Sequence, residues 1–425
     1  MKKTRRVVIT GLGVVAPNGI GKQAFWESLV AGKSGVDWIT SFDASPYPCR
    51  VAAEVKNFHP EDFIRSRTTD HWGRFSRFAV AAARLALEDS KLDLTRESGD
   101  RILACIGNAM NGSGDVYDLA RQGFDLARQG LDKTGMSGIP RESGFEFSAH
   151  APASHISTEL GIRGQAVTIA TACSTGLDVI QWASEQIAGR KADIAFAGST
   201  EAPIFEFCFA TLCALRDAIS TFDAPPLRAS RPFDLRRSGL VLGEGAGICV
   251  MEDFDHALDR GAHIYAEVLG FGAGNEGGHG TKRHSRELAL CNAITDSLSD
   301  AGLSPTDIDY VNLHGNAMRD YDVVDTRAFR TVFGRAADST PFSSIKSMIG
   351  HAMGAAASFQ VIATCLTLQS GIIPPTINYE VPDPECDLDY VPNKARLSRV
   401  RNAMVNAHAI GGTYSALVLA SPSNQ

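Results

Sequence analysis

Short apolar runs alternate along this chain with longer stretches in which apolar residues recur at helical spacing. The first pattern predicts strands and the second predicts helices. Strands are predicted at 7–10, 102–107, 166–170, 194–198 and 247–252. A second series follows at 265–272, 310–313, 404–407 and 415–419. Helices are predicted over 21–31, 75–90, 175–188, 286–301 and 354–369. Alternation of this kind implies an α/β protein, a sheet with helices on its faces. The two series share an element order without readable repetition, and the helix at 175 has its counterpart in the helix at 354. A boundary near 255–261 divides the chain into halves 1–257 and 258–425. The stretch 112–144 is rich in Gly, Asp and Arg and has no clear period, so it is predicted to be a cap or interface excursion. Pro374-Pro375 and Pro382 with Pro384 mark late loops.

Composition narrows the class. The 425 residues are 44% hydrophobic and 21% charged, as in soluble globular proteins. A net charge of -7 argues against non-specific nucleic-acid binding. The 9 cysteines lack metal-ligand spacing, Cys208 and Cys213 being the closest pair, and their dispersal fits reduced thiols in a cytoplasmic protein. No metal site is expected. The basic start, Met1 to Arg6, leads into a run broken by Gly11 and Gly13, which reads as a first strand and not as a signal peptide. No stretch reaches the roughly 18 apolar residues of a membrane span.

Candidate chemistry begins at Ala170-Thr171-Ala172-Cys173-Ser174-Thr175-Gly176, where a predicted strand turns into a predicted helix. Unpaired N–H groups and the positive end of the helix dipole favour a thiolate there, so a lowered thiol pKa is expected. The alternative is a buried structural cysteine. Two further segments bear on the choice. His314-Gly315 closes an apolar run, and Lys346 and His351 lie in a Gly/Ala-rich turn that enters a helix. One cysteine, two histidines and a lysine at element ends make a nucleophile with acid/base and electrophilic partners.

With these residues the chain resembles the β-ketoacyl-acyl-carrier-protein synthases, closest to the KAS II-like condensing enzymes of the thiolase-like superfamily. Matching segments, in order, are Val7 to Gly13, Ala170 to Cys173, Arg231-Pro232-Phe233-Asp234 with Gly243 to Gly247, Lys346 to Ala356, and Asn406 to Thr413. The resemblance spans nearly the whole chain. It implies a duplicated five-layer α-β-α-β-α fold and a decarboxylative condensation of a Cys173-bound acyl chain with malonyl on an acyl carrier protein, lengthening the chain by two carbons. His314 and His351 are implied as donors to the enolate, and Lys346 as the residue that positions them and tunes local charge. Backbone N–H groups of Cys173 and Ile410 are implied as an oxyanion hole. No cofactor is implied beyond the carrier's phosphopantetheine. A homodimer in the cytoplasm is expected.

Departures from the pattern bear on substrate. The hydroxyl residues expected after His314 are replaced in His314-Gly315-Asn316-Ala317-Met318, so pantetheine contact falls to Asn316 and Met318. The following acidic pair is Asp322 and Asp325, the second usually glutamate. Gln360 stands where a glutamate is expected, and Ile410 where a gating phenylalanine is. By alignment Met110 and Leu212 meet the far end of the acyl chain, and Thr281, with His279, touches pantetheine. These changes suggest a wide acyl pocket for long, rigid or polyunsaturated chains; packing compensated elsewhere is the plain alternative. Gly243 to Gly247 lacks the Lys-Ser/Thr of a phosphate loop. Arg65, Arg67, Arg74 and Arg77, with His71 and Trp72, form either a solvated helix face, a docking patch for an acidic carrier or a dimer surface. Two alternatives to the elongating enzyme stand: a non-elongating acyltransferase or hydrolase on the same fold, and a silent partner subunit. Retention of Cys173, His314, Lys346 and His351 argues against the last.

Overall fold

A computed structural model of the chain describes residues 5–65, 69, 72–110, 114, 121, 125, 143–215, 217–222, 225–277 and 283–422. Its main sheet is an 11-stranded ladder. From edge to edge the order is Phe342–Ser343, Tyr310–Asn312, Asn402–His408, Thr413–Ala420, Ala266–Asn275, Val7–Ala16, Gly245–Asp253, Ile194–Glu201, Ile102–Gly107 and Ala166–Val167, with Gly19–Ile20 turned back on Val7–Ala16. Among the described residues, the two strand series pair only where Val7, Val8 and Ile9 meet Val268, Glu267 and Ala266. This short joint lets the halves of the sheet face each other across a central helical layer.

That layer consists of Thr175–Ala188 and Ala356–Ser370, which touch both halves of the sheet and each other. Every residue from Ala356 to Leu368 is buried, so this helix is enclosed nearly all round. The two helices approach closely at Gly176, where a Cβ would meet Ser358 N at 2.4 Å. Arg74–Ser90 and Ala151–Leu160 cover the outer face of one half-sheet, and Arg283–Ala301 with Arg319–Phe333 cover the other. The layers therefore run α-β-α-β-α, as expected.

Burial on both faces explains the unbroken apolar runs. Along Ile102–Gly107, Leu103 and Cys105 join the central core while Ile102, Ala104 and Ile106 face the outer helices. Asn402–His408 repeats this, with Ala403, Val405 and Ala407 inward and Met404 outward. The strand predicted at 166–170 pairs only at Ala166 and Val167, because it is the edge and has one neighbour. Each central helix is preceded by one 3-10 turn, Ala172–Ser174 in the first and Met353–Ala355 in the second. Both turns open on a left-handed residue, Ala172 at φ 52° and Met353 at φ 44°. Among the described residues no helix is long and apolar enough to cross a membrane.

Candidate active site

Cys173 sits in the first of these turns. Left-handed backbone is costly for a residue with a Cβ, so the elbow at Ala172 must be held by its surroundings. Thr175 Oγ1 donates to Ala172 O at 2.7 Å and accepts from Thr171 N at 2.9 Å. Thr171 Oγ1 donates to Asp178, whose other oxygen accepts from Ser415 Oγ at 2.6 Å. Ser174 Oγ donates to Thr413 O at 3.3 Å, tying the elbow to the loop that carries Ile410. Around the buried thiol, His351 Nε2 lies 3.2 Å from Sγ, and the backbone N–H groups of Ile410 and of Cys173 itself bear on the sulfur. The helix start predicts a lowered thiol pKa; the structure shows the reverse. Burial pushes the thiol up to about 11, and the Ile410 N–H and the nearby Lys346 offset only part of that. The resting group is a thiol, and its attack requires a proton acceptor.

His314, His351 and Lys346 converge on the same spot from the ends of Tyr310–Asn312 and Phe342–Ser343. The two imidazoles are perpendicular, with centroids 5.2 Å apart. Burial and the neighbouring Lys346 and His408 hold both well below the usual histidine range, so both are neutral at pH 7. His314 Nδ1 accepts from His408 N at 3.3 Å. The hydrogen-bond network thereby assigns its proton to Nε2, which is buried with no partner. Lys346 Nζ donates to His314 O at 2.6 Å and to Gln360 Oε1 at 2.9 Å. Gln360 Nε2 donates in turn to Leu313 O at 2.9 Å and Asn312 O at 3.1 Å. With an amide and a carbonyl as its direct acceptors, the buried ammonium is lowered to about 7. A thiol, a neutral imidazole beside it, an unmade N–H donor and a buried cation suit acyl transfer and the stabilisation of an anionic carbon nucleophile.

Comparison with known proteins decides between the possible owners of such a site. The family described as beta-ketoacyl synthase, N-terminal domain, matches residues 4–257, and its C-terminal domain matches residues 265–380. The chain belongs to the beta-ketoacyl synthases. It is 41% identical to the tetracenomycin polyketide synthase ketoacyl synthase alpha subunit of Streptomyces glaucescens, over 98% of this chain and 97% of that one. It is 38% identical to 3-oxoacyl-[acyl-carrier-protein] synthase 2 of Coxiella burnetii, over 98% of each. Among solved structures, the ishigamide ketosynthase/chain length factor superposes with a TM-score of 0.90 at 33% identity, covering 99% of this chain and 100% of that one. As a beta-ketoacyl synthase the chain is a carbon–carbon bond-forming acyltransferase that elongates by decarboxylative condensation.

In this synthase Met110, Leu212 and Met318 join one apolar cluster with Cys173, Phe209 and Met353. Phe42, Tyr47 and Phe209 form an edge-on aromatic group in it, with centroids 5.5 to 6.1 Å apart. Asn316 is buried, and its Oδ1 accepts from Met318 N at 3.0 Å, so its carbonyl locks its own loop. Thr281, His279, Arg67, His71 and most of the excursion at 112–144 lie outside the described residues. Arg74 is half-exposed but paired, donating to Glu244 at 2.6 and 3.0 Å, which thins the expected arginine patch. Glu244 also accepts from Val55 N, so Gly243 to Gly247 is a structural turn into the strand Gly245–Asp253. Sequence reasoning misses three buried polar residues. Glu201 accepts N–H groups of Ala109, Met110 and Gly354 at 2.7 to 3.2 Å, and burial raises it to about 7. Asn406 Oδ1 accepts from His314 N at 3.0 Å, and His408 packs on the His314 ring. The available signal is their placement: a charge closing an apolar strand, and polar residues at alternate positions of another.

Proposed function

We propose that Cys173 carries the acyl chain and that His314 and His351 stabilise the malonyl-derived enolate, with both acyl groups delivered on the phosphopantetheine of an acyl carrier protein. In the first half-reaction Sγ attacks the carrier thioester and His351 takes the thiol proton. The carrier thiolate leaves and takes that proton from His351, and the N–H groups of Cys173 and Ile410 hold the oxyanion between. In the second, the malonyl carboxylate leaves as carbon dioxide, and its electron pair forms an enolate facing His314 Nε2–H and His351. The enolate carbon attacks the Cys173 thioester, and the thiolate leaves to be reprotonated. The observation that carries this reading is the bond from His408 N to His314 Nδ1, which assigns the proton to a buried Nε2 that has no acceptor among the described residues. The test is intact-mass spectrometry with acyl carrier and then malonyl carrier. A shift on Cys173 followed by a product two carbons longer supports elongation, whereas release of free acid without a longer product points to hydrolysis.

A structural neighbour described as a type II polyketide ketosynthase with its acyl-carrier protein, 31% identical, supports the choice of carrier. We assign the enzyme to the cytoplasm and divide it at 257/258 into an N-terminal half with the nucleophile and a C-terminal half with the histidines and lysine. The expected assembly is a homodimer. A second reading, pairing with a different subunit, is favoured by the relatives described as an alpha subunit and as a ketosynthase/chain length factor.

Lys346 gives the reaction a pH dependence. Its cation, which favours an adjacent enolate, is present below about pH 7 and lost above it. Decarboxylation is expected to fall as pH rises through that value. Gln360→Glu places a carboxylate on Nζ, raises the lysine pKa and moves the fall to higher pH. A pH–rate profile that stays put in the variant counts against Lys346 as the titrating group.

Ile410 is 39% exposed, in a loop whose Gly411 and Gly412 have φ of 118° and 91°. If it gates the acyl cluster, Ile410→Phe shifts preference towards shorter and more flexible chains in a competition among acyl carriers. An unchanged preference order removes the gate.

A further inference from the structure

We propose that His408 is a positioning residue for His314, clamping its ring for enolate stabilisation through a bond to Asp325. The proposal rests on the role given to His314 above and extends it to a residue outside the cysteine, histidine and lysine set. His408 ends the strand Asn402–His408 and is 1% exposed. Its ring centroid lies 3.8 Å from that of His314 and 5.0 Å from that of Tyr321, with Tyr414 at 5.5 Å. Arg286 lies over Tyr321, 4.9 Å from its centroid, and backs the stack from outside. His408 Nε2 is 3.1 Å from Asp325 Oδ1.

Asp325 is fully buried and reaches His314 by three routes. Its Oδ2 accepts from Gly315 N at 2.9 Å, immediately after His314. Its Oδ1 accepts from Asn406 Nδ2 at 2.8 Å, and Asn406 Oδ1 in turn accepts from His314 N at 3.0 Å. The third route is His408, whose backbone N–H holds His314 Nδ1 and whose ring covers the His314 ring. The first two routes fix the backbone of His314, which leaves its side-chain torsions free. Only the third bears on the imidazole plane, and hence on where Nε2–H points. A donor must meet the developing oxyanion with good geometry to be worth its full effect. Lys346 Nζ donates its hydrogen bonds to His314 O and Gln360, and the Asp325 charge favours the lysine cation from a distance.

The experiment separates loading from decarboxylation in the full-length enzyme. Acylation of Cys173 is followed by intact mass, and carbon dioxide release from labelled malonyl carrier is timed separately. His408→Phe keeps an aromatic ring and removes the Asp325 bond; Asp325→Asn weakens the same bond from the other side, and also disturbs the Gly315 and Asn406 contacts and the charge near Lys346. His408→Phe is expected to slow carbon dioxide release about tenfold, the scale of one hydrogen bond, and Asp325→Asn by at least as much. Loading should stay within about twofold, because neither residue touches Sγ. In the double variant the His408→Phe loss should not add in full to that of Asp325→Asn, since the contact it removes is already weakened there. Normal decarboxylation in His408→Phe overturns the proposal. So does an equal loss in both steps, which marks a merely structural role, or a multiplicative double variant. His314→Ala is run alongside: if it leaves decarboxylation intact, the role of His314 fails, and if it alone is crippled, only the positioning role of His408 fails.

Discussion

Cys173→Ala is expected to end all covalent acylation of the protein while leaving its fold in place. The elbow is held by Thr171, Ser174, Thr175 and Asp178, none of which bonds the sulfur. Alanine also suits a turn whose preceding residue is already alanine. A melting temperature within about 3 °C of wild type is expected, because only one buried atom is lost. Acyl carrier incubated with the variant should give no mass shift, and chain elongation should be undetectable. Acylation persisting at another residue would show that Cys173 is not the nucleophile. Cys208 is the cysteine to watch, since it lies in the same apolar cluster, but burial holds its thiol at about 12 and thus inert.

The second large effect is expected at His314. His314→Ala should slow release of carbon dioxide from malonyl carrier by roughly 100- to 1000-fold, the range for losing one donor to a developing oxyanion. Acyl loading should change little, because the sulfur neighbours His351 and not His314. His351→Ala should differ in kind and slow both steps, since its Nε2 stands by Sγ. His314→Gln, which keeps a side-chain N–H, should recover part of the loss. Unchanged decarboxylation in His314→Ala would remove the enolate assignment.

Much of this architecture is legible in the amino-acid sequence. The helix at Thr175–Ala188 is predicted to the residue, because its apolar face is unbroken and a glycine follows at position 189. The strands are legible as apolar runs because both of their faces are buried. Arg319–Phe333 is absent from the predicted helices although its apolar residues recur at helical spacing, and its first turns carry Asp320, Asp322 and Asp325, poor helix formers, two of them fully buried. Their rationale appears only in three dimensions, where Asp322 faces Arg237 at 3.3 Å and Asp325 holds the backbone beside His314. The quartet of Cys173, His314, Lys346 and His351 is visible as candidate chemistry at element ends. Its electrostatics are not, since a thiol at a helix start and a thiol in a dry pocket look alike in sequence. His408 is equally inconspicuous, because one more histidine beside a glycine turn has no spacing that singles it out.

The second elbow, Met353–Ala355, sets the stoichiometry of the enzyme. The position matching Cys173 is Gly354, and its N–H donates to Glu201 at 3.2 Å. A Cβ there would lie 2.7 Å from Ala109 N and 2.9 Å from Glu201 Oε2. Glu201 also accepts from Met110 N at 3.1 Å, and Met110 packs in the apolar cluster that holds Cys173. The repeats have therefore become complementary and cannot trade places. One elbow carries the sulfur, and the other forms part of the wall around it. Saturating acyl carrier should load one equivalent per chain, and a cysteine engineered at position 354 should damage the existing site without creating another.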